Sequence, residues 1–311
     1  MNKVPFLILV ILCLILFSQP TAEPRTSGTN PVKQPTPSQL GKEPQPQPQA
    51  PKIADGPYTP NEAGEVLILM YHQIGTPEGE WIRTPEHFKN DLERLFNNGY
   101  RPVPLNDYLA GHINLPRGYA PVILTFDDAS PGQFRLIDGQ VDPQSAVGII
   151  TSFSQEHPGF KPHATFFSYY GSPFGQRETV KEKYELLISF GMEIGNHTDK
   201  HRDLSKLSNE EVEASLRGHW QETGKLLPNY KPQALALPYG KPPKNRALAL
   251  EGNGYRHKGV LLVGSRPAFS PQSKEFDPLN IPRVRAAEPY LSQWLKYFDE
   301  HPEKRYVSAG K

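Results

Sequence analysis

Cysteine is almost missing from the 311 residues, which contain one, Cys13. It lies inside an apolar run, with Leu14-Ile15-Leu16-Phe17 after it rather than a polar segment, a placement that argues against lipid modification. The remainder of the chain can form no disulfide and offers no thiolate nucleophile or sulfur ligand, so a metal would have to be held by His, Asp or Glu. Charge of one sign is lacking too. Thirty-four basic residues oppose 33 acidic ones, the net charge is +1, and no run of Lys or Arg stands out. That balance argues against nucleic acid as a partner. No glycine-rich phosphate loop follows any strand-like run, which argues against nucleotide binding.

Apolar residues are scarce as well, at 37%, and the shortage has a local cause. About a dozen of the 34 prolines fall before residue 61, in a stretch that includes Gln45-Pro46-Gln47-Pro48-Gln49. Such a segment buries too little surface to offset its ordering entropy and favours extended polyproline conformations. Residues 23–60 therefore read as a Pro/Gln-rich disordered linker. Ahead of it, Lys3 precedes the apolar run Val4 to Phe17 and a small-residue exit, Ser18-Gln19-Pro20-Thr21-Ala22. The run is shorter than the roughly twenty residues a bilayer span needs and matches the hydrophobic region of a secretory signal peptide. Residues 1–22 are accordingly a signal peptide or, alternatively, an uncleaved signal anchor that tethers the domain to the membrane through the linker. Either way the domain is exported, secreted or held on the outer face of a bacterial cytoplasmic membrane.

From Gly64 onward short β-like runs alternate with helical patterns, the signature of a parallel sheet wound with helices. Val66 to Tyr71 is a buried-strand run, followed by the cap Thr84-Pro85 and by Phe88, Leu92, Leu95 and Phe96 at helical spacing before Gly99. Pro121 to Phe126 is a strand and Ser145 to His157 a helix. His163 to Phe167 is a strand, Val180 to Phe190 a helix closed by Gly191, and Met192 to Gly195 a short strand. Ser208 and Glu211 form a capping box at the start of the next helix. Gln233 to Leu237, Gly259 to Val263 and Ile281 to Arg285 supply further strands, with a last helix near Leu291 to Phe298. Seven to eight such units in about 250 residues predict one α/β domain over residues 61–311, a distorted (β/α) barrel, with an open doubly wound sheet as the alternative.

The polar residues sit where an active-site face would be built. Asp127 and Asp128 directly follow one strand, His197 another and Pro238-Tyr239-Gly240 a third, and strand ends converge on one face of a barrel. His197 and His201, four residues apart, can bind one ion; on spacing alone a solvated helix face explains them as well. Adjacent carboxylates repel and are costly to hold together unless a cation or a shared proton compensates them. A helix N-terminus is the plainer explanation of the pair. If Asp128 ligates an ion such as zinc together with the two histidines, Asp127 is left free to accept a proton from an attacking water.

Taken together, Thr125-Phe126-Asp127-Asp128, His197-Thr198-x-x-His201 and Leu237-Pro238-Tyr239-Gly240 resemble successive motifs of the polysaccharide deacetylase family, the NodB homology domain of carbohydrate esterases. Leu69-Met70-Tyr71-His72 is similar to an opening strand of that family, and the likeness spans roughly residues 64–285. The resemblance implies a distorted barrel and a divalent ion, typically zinc, on Asp128, His197 and His201. It implies Asp127 as general base, Tyr239 as a backbone contact to the oxyanion, and an N- or O-acetylated envelope or extracellular polysaccharide as substrate.

Three positions depart from the family pattern. Ala236 stands where an arginine usually orients the base, leaving Arg283 or Arg285 to take that part, with a plain surface arginine as the alternative for either. The late Leu-x-Leu-x-His motif that supplies the general acid has no match, and His301 reads as a helix end. His72 is then the best substitute, as acid or substrate contact. Pro238, Tyr239, Tyr169 and Arg283 are the residues proposed to line the substrate groove, while surface placement is the default for His163, His219 and His257. Asn196-His197-Thr198 matches a glycosylation sequon, read as coincidence. The departures leave a second reading, a catalytically impaired, metal-keeping carbohydrate-binding protein without its general acid. A glycosidase is a third, disfavoured by the histidine pair.

Overall fold

A computed structural model describes residues 55–310; the segment 1–22, Cys13 and the linker as far as residue 54 lie outside the described residues. No helix among the described residues is long and apolar enough to cross a membrane.

The main sheet follows from runs of apolar residues that are buried on both faces. Its strands in chain order are β1 (Glu65–Tyr71), β2 (Tyr100–Pro102), β3 (Ala120–Phe126), β4 (Thr165–Ser168), β5 (Glu193–Asn196), β6 (Ala234–Ala236), β7 (Gly259–Leu261), β8 (Ala268–Phe269) and β9 (Val284–Arg285). Parallel pairing runs β7-β6-β5-β4-β3-β1-β9, with β2 also parallel to β3 and β8 antiparallel to β1. A single parallel bridge between Leu261 and Ile281 brings β7 back beside the segment that leads into β9. The sheet is thus curled into a distorted barrel, as expected from the alternation of elements.

Residue alternation decides what each face buries. On β1, Val66 and Ile68 pack with Ile123, Phe167, Ala236 and Leu261 in one cluster, the barrel interior. Leu67, Leu69 and Tyr71 pack with Phe88, Leu92 and Leu95 of the first helix in another. Full burial of each of these large side chains is worth about 1.5–3 kcal/mol, so the pattern fixes the register firmly.

The helices are α1 (Pro85–Asn97), α2 (Leu105–Leu109), α3 (Ala146–Glu156), α4 (Val180–Ser189), α5 (Asn209–Leu226) and α6 (Tyr290–Glu300). Three start where the sequence announces them: Thr84 accepts from the His87 amide, Ser145 from Gly148, and Ser208 with Glu211 closes a reciprocal capping box. Helices follow β1 to β5 and β9, whereas short 3-10 turns follow β6 and the small strand β8 follows β7. The barrel therefore departs from a regular repeat on the β6–β7 side.

Two expectations need correcting. Residues 55–60, read as the end of the linker, are held against the domain: the Gly56 amide donates to the Arg117 carbonyl at 2.6 Å, and the Tyr58 ring lies 4.0 Å from the Arg305 guanidinium. His219 and His257 are not at the surface but buried, because each finds a hydrogen-bond partner inside, Ser168 and Ala249 respectively.

Candidate active site

The interior alternation of β3 continues past its end. Ile123, Thr125 and Asp127 point inward in turn, so Asp127 enters the barrel mouth while Asp128 turns toward the cleft. Asp127 is buried, and the guanidinium of Arg283, also buried, donates to both of its oxygens at 2.7 Å. Arg283 reaches this position from the residue preceding β9, and it also donates to Thr125 Oγ1 at 3.2 Å and to the Leu262 carbonyl at 2.8 Å. Burial alone would raise the Asp127 pKa; the charge and hydrogen bonds of Arg283 outweigh it and hold the carboxyl well below the usual carboxylate range. Of the two arginines the sequence offered beside Asp127, Arg283 is the one that reaches its carboxylate. It is wholly buried and does not line the groove, which corrects that expectation.

Asp128, His197 and His201 come together. Asp128 Oδ1 lies 3.3 Å from His197 Nε2 and 3.2 Å from His201 Nε2, and one ligand atom from each of the three falls within 4.8 Å of the others. His197 Nδ1 contacts the Ala236 carbonyl at 2.8 Å, and a carbonyl can only accept, so in the neutral ring the proton is on Nδ1 and a lone pair on Nε2 faces Asp128. Among the described residues, the buried Oδ1 has no hydrogen-bond partner. Lone pairs of a carboxylate and an imidazole facing each other at this distance repel unless a cation sits among them, so the donor set fits a divalent ion with nitrogen and oxygen ligands. Burial lowers the His201 pKa against the pull of Asp128 and Asp127, which favours the neutral ring that a ligand must present.

The loops that present these side chains are strained and braced. Asp128, Ala129, Thr198, His201 and Tyr239 all have positive φ, between 47° and 74°, a conformation L side chains adopt only where the surroundings impose it. Buried Asn196 accepts from the Thr198 amide at 2.8 Å and donates to the Leu216 carbonyl and to His257 Nε2. With its side chain committed in this way, the sequon is closed to a glycan. Gln133, buried and not anticipated from the sequence, donates through Nε2 to the carbonyls of both His72 and Asp127 at 2.5 Å, tying the ends of β1 and β3 together.

The three ligands open onto a cleft of about 540 Å³ bordered by His72, Trp81, Asp127, Tyr239 and Val263. His72 ends the inward row of β1, and burial lowers its pKa while the two aspartates pull the other way. Tyr239 is 60% exposed, its ring 4.6 Å from that of His201. Pro238 is buried and shapes the turn instead of lining the cleft. Tyr169 stands 5.6 Å from the His201 ring and borders an adjoining cavity with Tyr170. His301 caps the end of α6, as its sequence context suggests.

The family description that the sequence matches is "Polysaccharide deacetylase", over residues 116–257. No curated protein matches the chain. Among solved structures, it is similar to the Streptococcus pyogenes deacetylase PplD in complex with acetate, with 20% identity, TM-score 0.59, and 75% of this chain and 98% of that one covered. It is also similar to IcaB from Ammonifex degensii, with 19% identity, TM-score 0.57, and 78% and 99% covered. A third is the putative polysaccharide deacetylase BA0330 from Bacillus anthracis, with 20% identity, TM-score 0.58, and 75% and 69% covered. At these identities the likeness establishes the fold. The stretch that matches the polysaccharide deacetylase description, residues 116–257, contains Asp127, Asp128, His197, His201 and Tyr239.

Proposed function

We propose that the protein is a metal-dependent hydrolase that removes acetyl groups from an N-acetylated or O-acetylated envelope or extracellular polysaccharide, acting after export. The observation that carries the reading is the buried Oδ1 of Asp128, without a hydrogen-bond partner among the described residues, facing His197 and His201 in a cleft of about 540 Å³. A divalent ion on these three, zinc by the chemistry of the donors, would supply Lewis-acid activation of the acyl carbonyl and of water. Asp127 takes the proton of the attacking water. Its lowered pKa makes it a weak base, suited to a water that a bound ion would acidify, and Arg283 keeps it ionised and aimed. The backbone amide of Tyr239, on the strained turn after β6, is assigned to the developing oxyanion. His72, across the cleft, donates a proton to the leaving nitrogen or oxygen.

The binding-protein alternative draws on the missing arginine and the missing late histidine. Arg283 on Asp127 and His72 in the cleft weigh against it. The test is acetate release from acetylated oligosaccharides with added zinc, comparing wild type with Asp127→Asn. Release that depends on the metal and falls on substitution supports the reading; equal release by the two proteins removes Asp127 as base. Export is checked separately, by N-terminal sequencing and fractionation of cells producing the full chain.

A further inference from the structure

His72 is held differently from His197. His197 has its ring orientation set by the Ala236 carbonyl. The backbone of His72 is equally well fixed, by Gln133. Its Nδ1, however, is buried without a partner among the described residues, so no hydrogen bond from them at this atom aims the imidazole. The ring instead rests on Trp81, with centroids 4.6 Å apart and planes at 54°. Trp81 is itself fixed twice. The Gln73 amide donates to its carbonyl at 2.9 Å, which ties the loop to the residue after His72. The guanidinium of Arg285 lies 4.0 Å from its ring centroid. Arg285 is anchored by pairing of β9 with β1 opposite Met70 and by an ion pair with Glu80 at 2.9 Å. A guanidinium over an indole face is the favoured cation–π arrangement.

We infer that Trp81, braced by Arg285, is a positioning residue that holds the His72 imidazole at the angle for proton donation to the leaving group. The inference rests on the reading of His72 as the proton donor. β9 and the residue before it then carry both supports of the reaction: Arg283 aims the base, and Arg285, two residues on, aims the acid through Trp81.

Proton donation matters when the leaving group is an amine and hardly at all when it is a stabilised phenolate, and this difference gives the experiment. Trp81→Ala, Trp81→Phe, Arg285→Gln, His72→Ala and the double variant Trp81→Ala/His72→Ala are compared on an N-acetylglucosamine oligomer and on an activated aryl acetate, in the zinc-loaded protein. Trp81→Ala is expected to lower kcat on the amide on the order of tenfold to a hundredfold, the loss typical of a misaimed group, with KM and aryl acetate turnover nearly unchanged. Phenylalanine should restore most of the loss, Arg285→Gln should show a smaller loss of the same kind, and the double variant should be no slower than His72→Ala. A rise in KM alone would make Trp81 a sugar contact, equal losses on both substrates would make it a structural support, and additive losses in the double variant would separate it from His72; each overturns the inference. Full amide turnover by His72→Ala would remove the proton-donor reading and this role with it.

Discussion

Both oxygens of Asp127 are taken by the two terminal nitrogens of Arg283 at 2.7 Å, inside the mouth of the barrel, 156 positions apart in the chain. A buried pair of this kind is not a large net source of stability, since desolvation of two charges offsets most of their attraction. Removing one partner is another matter.

Arg283→Met should therefore leave Asp127 charged and unpaired in the barrel and cost about 3–5 kcal/mol, read as a lower urea midpoint with an unchanged slope. Lysine at this position should recover little, because an ammonium cannot make the two parallel bonds. A variant as stable as the wild type would show that the pair does not hold the base.

A pH effect on stability is expected from His257. Burial lowers its pKa from 6.5 to about 4, so the native state keeps it neutral while the unfolded chain binds a proton below pH 6.5. Stability is then complete above pH 6.5 and falls as pH drops toward 4, by about 3 kcal/mol for this residue at full effect. Protonation also removes the acceptor that Asn196 uses. His257→Gln should lower stability at neutral pH and flatten the decline between pH 6.5 and 4 in thermal unfolding curves; an equally steep decline would assign it to other groups, His219 first.

His72→Ala should slow release of acetate from an amide on the order of a hundredfold or more, the usual contribution of a positioned general acid. Circular dichroism should be unchanged, because the side chain is at the edge of the cleft and the Gln133 contacts are to backbone. Unimpaired amide turnover would leave the reaction without its acid.

Much of this was legible in the sequence because it is local. Caps at Thr84, Ser145 and Ser208, alternation along β1 and β3, and the placement of Asp127, Asp128, His197 and His72 after strands all depend on residues within a few positions of each other. What could not be read depends on closure of the sheet. Arg283 finds Asp127 only because β9 pairs with β1, and the sequence offered Arg285 as an equal choice. Gln133 and Trp81 lie in loops with no periodic pattern, and their roles appear only when the ends of β1 and β3 are side by side. His219 and His257 were misplaced because polarity suggests solvent, whereas each has an interior partner. Residues 57–60 include two prolines and look like linker; the stacking of Tyr58 on Arg305 bridges 247 positions and leaves no local mark.

The proposed chemistry depends on the ion. Elemental analysis of the purified domain, after equilibration with zinc and removal of the excess, should give one equivalent for the wild type and far less for His197→Ala, with the wild-type thermal midpoint rising as zinc is added. A wild type that binds no divalent metal, or that binds as much as His197→Ala, would contradict the site built from Asp128, His197 and His201.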